Sequence, residues 1–146
     1  MHRLPKKYYF IKNFNTTELN NLNLNTGVIY RNYKKKPEIS ELLRIREFCK
    51  RRSIKVYISN NFKLAYKLNF DGAYIPSFNR KFKHLNYNIR KNFLILGSAH
   101  SISEIRIKEA QKVNLIFISS IFKKNKNFLG LYKFNILSKL TNKKVI

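Results

Sequence analysis

The sequence FLILGSAHSISE, residues 93–104, decides the fold class of this chain. Its first four residues form a continuous apolar run, the pattern of a parallel strand that is buried on both faces. Gly97 then allows the backbone to turn or to approach a ligand closely, and Ser98 and His100 are placed as polar groups just past the strand end. The last four residues have the S-x-x-E spacing of a capping box, which predicts the start of a helix. A buried strand, a Gly-Ser turn and a helix N-terminus together predict a site for an anion or a small substrate.

Apolar runs alternate with helical patterns along the whole chain. Strands are predicted at residues 8–11, 27–30, 54–58, 72–75, 93–96 and 114–119, with the start of a seventh at 145–146. Helices are predicted at residues 16–22, 37–50, 61–68, 101–111 and 128–140, whereas 78–90 is polar and poorly periodic, with room for a short helix. Strands that are each followed by a helix predict a parallel α/β fold, either an open doubly wound sheet or a (β/α)8 barrel.

The number of strand–helix units decides between these two architectures. Six units and the start of a seventh strand are many for 146 residues, and an eight-unit barrel needs about 200 or more. We therefore expect a single domain, residues 1–146, that is a (β/α)8 TIM barrel, incomplete at its C-terminal end.

The helix predicted at residues 37–50 has the clearest periodicity. Its apolar residues keep near-helical spacing, and Pro37 suits a first helical turn. These apolar residues are Ile39, Leu42, Leu43, Ile45 and Cys49. We expect Cys49 to be a core residue rather than a nucleophile.

The formal net charge of +24 is open to three interpretations. A solvated basic surface is the one we favour, because Lys, Asn, Ile, Phe and Tyr are abundant together, as in proteins of AT-rich genomes. A nucleic-acid face is the second, and it would make the chain a basic RNA-binding protein. A small substrate that carries phosphate is the third, and it fits the motif at residues 93–104 best.

Cysteine content and hydropathy bear on the compartment. The single cysteine cannot form an internal disulfide, which suits a reducing cytoplasm. We find no pattern of a signal peptide, and no apolar run approaches the ~20 residues of a membrane span. We expect a cytoplasmic protein without a membrane partner, and the oligomeric state stays open.

Two stretches resemble the thiamine-phosphate synthase and TenI (thiazole tautomerase) family. They are NNFKLAYKLNFDGAYIP at residues 60–76 and ILGSAHSISE at residues 95–104. VIYRNY, residues 28–33, resembles the second-strand motif of that family, with Arg31 in place, and residues 119–122 stand where the family has its motif after the sixth strand. The residues shared with the motifs are Leu64, Ala65, Asp71, Gly72, Gly97, Ser98, His100, Ser101 and Glu104. The resemblance implies a (β/α)8 barrel of thiamine biosynthesis that binds small phosphorylated thiamine precursors.

The reaction that this resemblance implies is a group transfer. It joins an aminopyrimidine pyrophosphate to a thiazole phosphate, and it uses Mg²⁺ and cations to hold the departing pyrophosphate. The metal aspartates of the family fall on Asn60 and Asn79 here, and an uncharged amide oxygen should bind Mg²⁺ far more weakly. The second-strand glutamine and lysine fall on Ile29 and Tyr33. A TenI-like tautomerase and a degenerate binder of phosphate ligands are therefore alternatives to the synthase.

His100 is the candidate catalytic residue. By resemblance to the tautomerases it acts as a general acid and base, and an imidazole titrates near the neutral pH that this task needs. Ser98 is the candidate phosphate donor, and Arg31, Lys124 and Lys126 could hold phosphate groups without a metal. The alternative interpretation makes His100 a helix-start residue bonded to backbone and Ser98 a turn cap.

Other polar residues receive structural roles or none. We expect Asp71 to orient the loop into the fourth strand and Tyr74 to fill the barrel interior. His2 and His84 lie in polar segments without evident partners, and neither is assigned a role.

Overall fold

A computed structural model of the chain describes residues 4–23 and 25–146, so His2 lies outside the described residues. Strands are β1 Lys7–Ile11, β2 Thr26–Tyr30, β3 Val56–Ser59, β4 Gly72–Ile75, β5 Leu94–Ala99, β6 Leu115–Ile118 and β7 Lys144–Val145. Helices are α1 Thr16–Asn20, α2 Ile39–Arg51, α3 Phe62–Lys67, α4 Ile102–Ala110 and α5 Gly130–Lys139, with a 3₁₀ helix at Lys83–Asn86. Across the described ranges, no helix combines the length and the apolar character that crossing a bilayer requires.

The first of two compact units comprises Met1–Ala73 and Lys91–Phe93. In this unit β1 pairs in parallel with β2, and β2 pairs in parallel with β3. Every residue of β2 and β3 is buried, as expected for strands whose two faces are both covered. The continuous apolar runs of the sequence are the cause of this burial.

The second unit comprises Tyr74–Arg90 and Leu94–Ile146. It holds the last two residues of β4, and in it β5 pairs in parallel with β6 and β6 with β7. Leu96 lies opposite Leu115, and both side chains are fully buried. This unit contains the motif of residues 93–104 from Leu94 onward.

The predicted fold class is confirmed. In each unit the strands are parallel and neighbour one another in chain order, with helical connections between them. A doubly wound sheet would reverse its strand order at a switch point, whereas barrel strands follow the order of the chain. The described part of the chain therefore has the α/β architecture of an incomplete barrel, in which each of the first six strands is followed by a helix or a 3₁₀ helix and a seventh strand comes last.

The prediction of a Gly-Ser turn at residues 97–98 is wrong. Strand β5 continues through both residues to Ala99, and the chain turns only at His100 and Ser101. Gly97 is needed for close packing instead, because a Cβ there would lie 3.0 Å from both Lys108 Cδ and Val113 Cγ1. Its role is to let α4 approach the strand.

Helix α2 begins later than its sequence pattern predicts. Glu38 is its N-cap residue and Ile39 its first helical residue, so Pro37 precedes the helix rather than forming its first turn. Leu42 and Cys49 are fully buried, as expected, whereas Ile39 is 56% exposed. The buried face of α2 therefore begins at Leu42, one turn after Ile39, where the predicted apolar face begins.

Residues 76–90 form irregular structure apart from one 3₁₀ helix, Lys83–Asn86. The helix that a regular barrel would place after β4 is reduced here to a single short turn. This outcome agrees with the poor periodicity of the sequence between residues 78 and 90. An irregular segment needs partners for its backbone carbonyls, and α4 supplies several of them, as described below.

The Cys49 thiol should not react in the native protein. Its side chain is fully buried on α2, and this burial, together with the negative charge of Asp71, raises the pKa of the thiol to about 12. An exposed thiol with a pKa of about 8.5 would be half ionised at pH 8.5. We expect Ellman's reagent at pH 8.5 to label the chain only after unfolding in guanidinium, and rapid labelling in native buffer would contradict the buried placement.

Candidate functional site

His100 stands where the chain leaves β5, and two contacts fix its position. Its Nδ1 donates a hydrogen bond to the carbonyl oxygen of Ser119, which follows β6. Because a carbonyl oxygen only accepts, Nδ1 carries the proton and Nε2 is the basic nitrogen of the neutral ring. The His100 backbone N–H donates to the Glu104 carboxylate at 2.6 Å. The ring is thus held with a defined tautomer, as a proton carrier requires.

The predicted capping box is present in altered form at the start of α4. Ser101 is the N-cap residue, and its hydroxyl accepts from the Glu104 backbone N–H at 3.3 Å. The Glu104 carboxylate reaches back to His100, one residue before the cap. The box therefore orients the candidate catalytic residue as well as ending the turn.

Ser98 is the penultimate residue of β5, two positions before His100. It is opposite Phe117 of β6, whose ring meets Tyr74 of β4 edge-on with 5.7 Å between centroids. The Ser98 side chain is only 4% exposed, and Tyr74 is also buried, as expected for a residue that fills the interior. A ligand group bound at Ser98 would therefore lie beside the aromatic rings of Phe117 and Tyr74.

Lys124 and Lys126 are exposed in the loop that follows β6. Ser120 closes this loop, because its backbone N–H donates to the Asn127 carbonyl at 3.1 Å and its own carbonyl accepts from the Leu129 N–H at 2.8 Å. The loop starts at Ser119, whose carbonyl holds the His100 ring. The second unit thus carries Ser98, His100 and the two lysine positions together.

Arg31 belongs to the first unit and follows β2. Its guanidinium lies 4.3 Å from the centroid of the Phe10 ring, in cation–π geometry. Two residues on, the Tyr33 hydroxyl and Ser59 Oγ form a hydrogen bond of 2.7 Å. Tyr33 stands where the resemblance places a lysine, so a neutral hydrogen-bonded pair replaces a cation here.

The residues at the two expected metal positions do not fit a divalent cation. Asn79 Oδ1 already accepts the Lys81 backbone N–H at 2.9 Å. Asn60 has a φ of 58°, in the left-handed region that asparagine tolerates, and an uncharged side chain. Within residues 4–23 and 25–146, no three His, Cys, Asp or Glu side chains come together. This donor set lacks the carboxylates that Mg²⁺ sites use.

Asp71 has the structural role that was predicted for it. Its carboxylate accepts from Lys55 Nζ at 2.7 Å and from the Val56 backbone N–H at 3.0 Å. It therefore ties the residue before β4 to the start of β3.

Three buried polar residues of the second unit were assigned no role from the sequence. Lys108, Gln111 and His84 are 0%, 0% and 5% exposed, and all three hold backbone carbonyls. His84, whose partner was not evident from the sequence, donates from its Nε2 to the Gln111 carbonyl at 2.8 Å. A Lys and a Gln three residues apart on a helix resemble an ordinary solvated face, so the sequence held no clear signal for them.

Comparison with known proteins identifies the family. Residues 18–146 match the family described as thiamine monophosphate synthase (TMP-TENI), and the chain belongs to it. Among curated proteins, none matches the chain significantly.

Solved structures support the fold. Thiamine phosphate pyrophosphorylase from Pyrococcus furiosus superposes with a TM-score of 0.70 at 16% identity, over 97% of this chain and 73% of that one. The U32 peptidase Mk0906 gives 0.66 at 11% identity, over 99% and 68%. At these identities the likeness concerns the fold alone.

Proposed function

We propose that this protein acts on a phosphorylated thiazole precursor of thiamine, moving a proton on its ring with His100 as general acid and base. The observation that supports this most is the fixed tautomer of His100, whose Nδ1 donates to the Ser119 carbonyl. Nε2 is then the atom that takes up and returns a proton. Membership of the thiamine monophosphate synthase family supports the class of substrate.

Substrate binding is assigned to groups that need no metal. The Ser98 hydroxyl would donate to the phosphate, and the aromatic pair Tyr74 and Phe117 would border the ring of the precursor. Lys124 and Lys126, at the exposed end of the loop after β6, would supply positive charge. Arg31 is the corresponding candidate in the first unit. Charge-assisted hydrogen bonds from such groups are strong enough to hold a phosphate.

The coupling reaction of the family is the second candidate function. It would need a cation to neutralise the pyrophosphate that leaves, and the asparagines at positions 60 and 79 offer no charge for holding Mg²⁺. For this reason we propose proton transfer, rather than the coupling reaction, as the first candidate function. Either reaction would belong to a cytoplasmic biosynthetic role.

Two assays on the full chain separate these functions. In the first, the thiazole phosphate tautomers are incubated with the protein in D₂O, and proton NMR follows their interconversion. In the second, the aminopyrimidine pyrophosphate and thiazole phosphate are incubated with Mg²⁺, and chromatography measures thiamine phosphate.

We expect interconversion in the first assay and no thiamine phosphate in the second. Formation of thiamine phosphate that stops with EDTA would overturn the proposal in favour of the coupling reaction. If neither reaction occurs while the thiazole phosphate still binds, the protein is a non-catalytic binder. Tight binding of single-stranded RNA in place of the precursor would instead support the nucleic-acid interpretation of the basic surface.

A further inference from the structure

Helix α4 carries polar side chains along the face that it turns toward the protein. Glu104, Lys108 and Gln111 are spaced by four and three residues, so they share one face of the helix. Lys108 and Gln111 are fully buried. An amphipathic helix would place apolar residues at these positions, so this buried polar face needs an explanation.

Lys108 uses its ammonium group on backbone carbonyls of the segment that leaves β4. Nζ donates to the Pro76 carbonyl at 2.9 Å, to the Asn79 carbonyl at 2.8 Å and to Gln111 Oε1 at 2.8 Å. These three acceptors match the three donors of an ammonium group. The aliphatic stem packs on Gly97, where a Cβ would lie 3.0 Å from Lys108 Cδ.

Gln111 extends the same network. Its Nε2 donates to the carbonyls of Asn79 at 3.0 Å and Lys81 at 2.9 Å, and its own backbone carbonyl accepts from His84 Nε2 at 2.8 Å. The irregular segment after β4 is thus fastened to one end of α4. At the other end of α4, the Glu104 carboxylate holds the His100 backbone N–H.

Burying the ammonium group of Lys108 costs free energy. Burial lowers the pKa of Lys108 to about 8, while the charge of Glu104 acts in the opposite direction and that of Arg80 adds to the lowering. A buried charge is tolerated when all its donors are bonded, as they are here. An apolar side chain would fill the space more cheaply, so the ammonium group is retained for its hydrogen bonds.

We propose that Lys108 and Gln111 are positioning residues, which fix the course of the segment that leaves β4 at the same sheet edge as His100. In the second unit the end of β4 neighbours β5, so this segment starts at the edge of the sheet where His100 stands. The functional part of this inference rests on the function proposed above, whereas the fastening itself does not. Lys108 contacts no reacting atom and acts through the segment that it holds.

The test compares the native chain with Lys108→Met, which keeps the length of the stem and removes the donors. Proton–nitrogen NMR of the uniformly labelled full chain gives amide exchange rates, and the ring nitrogen shifts of His100 report the site without a ligand. The backbone N–H of Asn79 donates to the Pro76 carbonyl, and the backbone N–H of Lys81 donates to Asn79 Oδ1. These two backbone amides serve as the probes. We expect their exchange to accelerate about tenfold or more, as for the loss of a charge-assisted hydrogen bond.

Ligand affinity is the second measurement. Titration with thiazole phosphate should show a dissociation constant about tenfold higher in Lys108→Met, together with shifted His100 ring signals, because ligand binding must then also order a segment that has lost about one charge-assisted hydrogen bond of free energy. Lys133→Met is the matched control, since it removes one exposed positive charge from α5 in the same unit. It should leave exchange, affinity and ring signals unchanged.

The possible results separate a positioning role from a structural one. A lower melting temperature with unchanged His100 signals would make Lys108 merely structural and overturn the proposal, as would unchanged exchange at Asn79 and Lys81. If the native chain binds no thiazole phosphate, the proposed function fails, and the exchange rates and ring signals still decide the positioning role. Should Lys108→Met not fold, Gly97→Ala keeps the ammonium group and displaces its stem, and the same signals should shift in it.

Discussion

Replacing His100 with alanine should lower the rate of thiazole proton transfer by about 10²–10⁴-fold, the usual contribution of a positioned general acid and base. The ring is partly exposed and its Nδ1 is bonded to the Ser119 carbonyl, so Nε2 is the group that is lost to the substrate. The backbone N–H that binds Glu104 remains in the variant, so the start of α4 should persist. Deuterium incorporation in D₂O measures the rate.

Ser103→Ala is the matched control for this variant. Ser103 is exposed in the first turn of α4, two residues after the cap, and its substitution leaves the capping box intact. We expect native activity in it. A His100→Ala protein that is as active as the native chain would show that His100 serves only to end the turn after β5, which was the alternative role predicted from the sequence.

Replacing Leu42 with alanine should destabilise the first unit by about 2–5 kcal/mol, the cost of deleting a fully buried leucine side chain. Leu42 is 0% exposed on the inner face of α2. Domains of this size have a total stability of only about 5–15 kcal/mol. A large part of the native population at moderate denaturant should therefore be lost, as measured by urea unfolding followed by circular dichroism.

Ile39→Ala tests the same helix at a position that looks equivalent in the sequence. Ile39 is 56% exposed, so little apolar surface is lost, and alanine is the better helix former. We expect a change below about 0.5 kcal/mol, as for most surface substitutions. Equal destabilisation by the two variants would mean that the buried face of α2 includes its first turn.

The fold was predictable because its signals are local and repeated. Most of the strands are visible in the sequence as short apolar runs. The spacing of Ser101 and Glu104 marks the start of α4, as predicted. The length of β5 was not predictable in the same way. Gly97 is a turn residue by local preference, and only the approach of α4 explains why it lies within a strand.

The site was predictable in part, and the reason lies in what each residue contacts. His100 and Ser98 follow from a motif of consecutive residues, which local sequence shows directly. The contacts of Lys108 join residues that are 29 and 32 positions apart, and no local pattern encodes them. Lys108 is one of many lysines in the sequence, and nothing in its neighbouring residues marks it as buried. Whether the basic surface binds a nucleic acid stays a prediction.

Because Gly97 and Lys108 pack against each other, the effect of a substitution at one of these positions depends on the residue at the other. A larger residue in the strand would leave no room for a long stem on the helix, and a short residue on the helix would leave an empty notch above the glycine. A larger residue at position 97 alone therefore creates a clash, and a short residue at position 108 alone creates a cavity. Replacing the buried ammonium group with a small apolar residue at position 108 should therefore be combined with alanine at position 97, and Val113, whose Cγ1 would also lie 3.0 Å from the new Cβ, must then shift or be shortened as well.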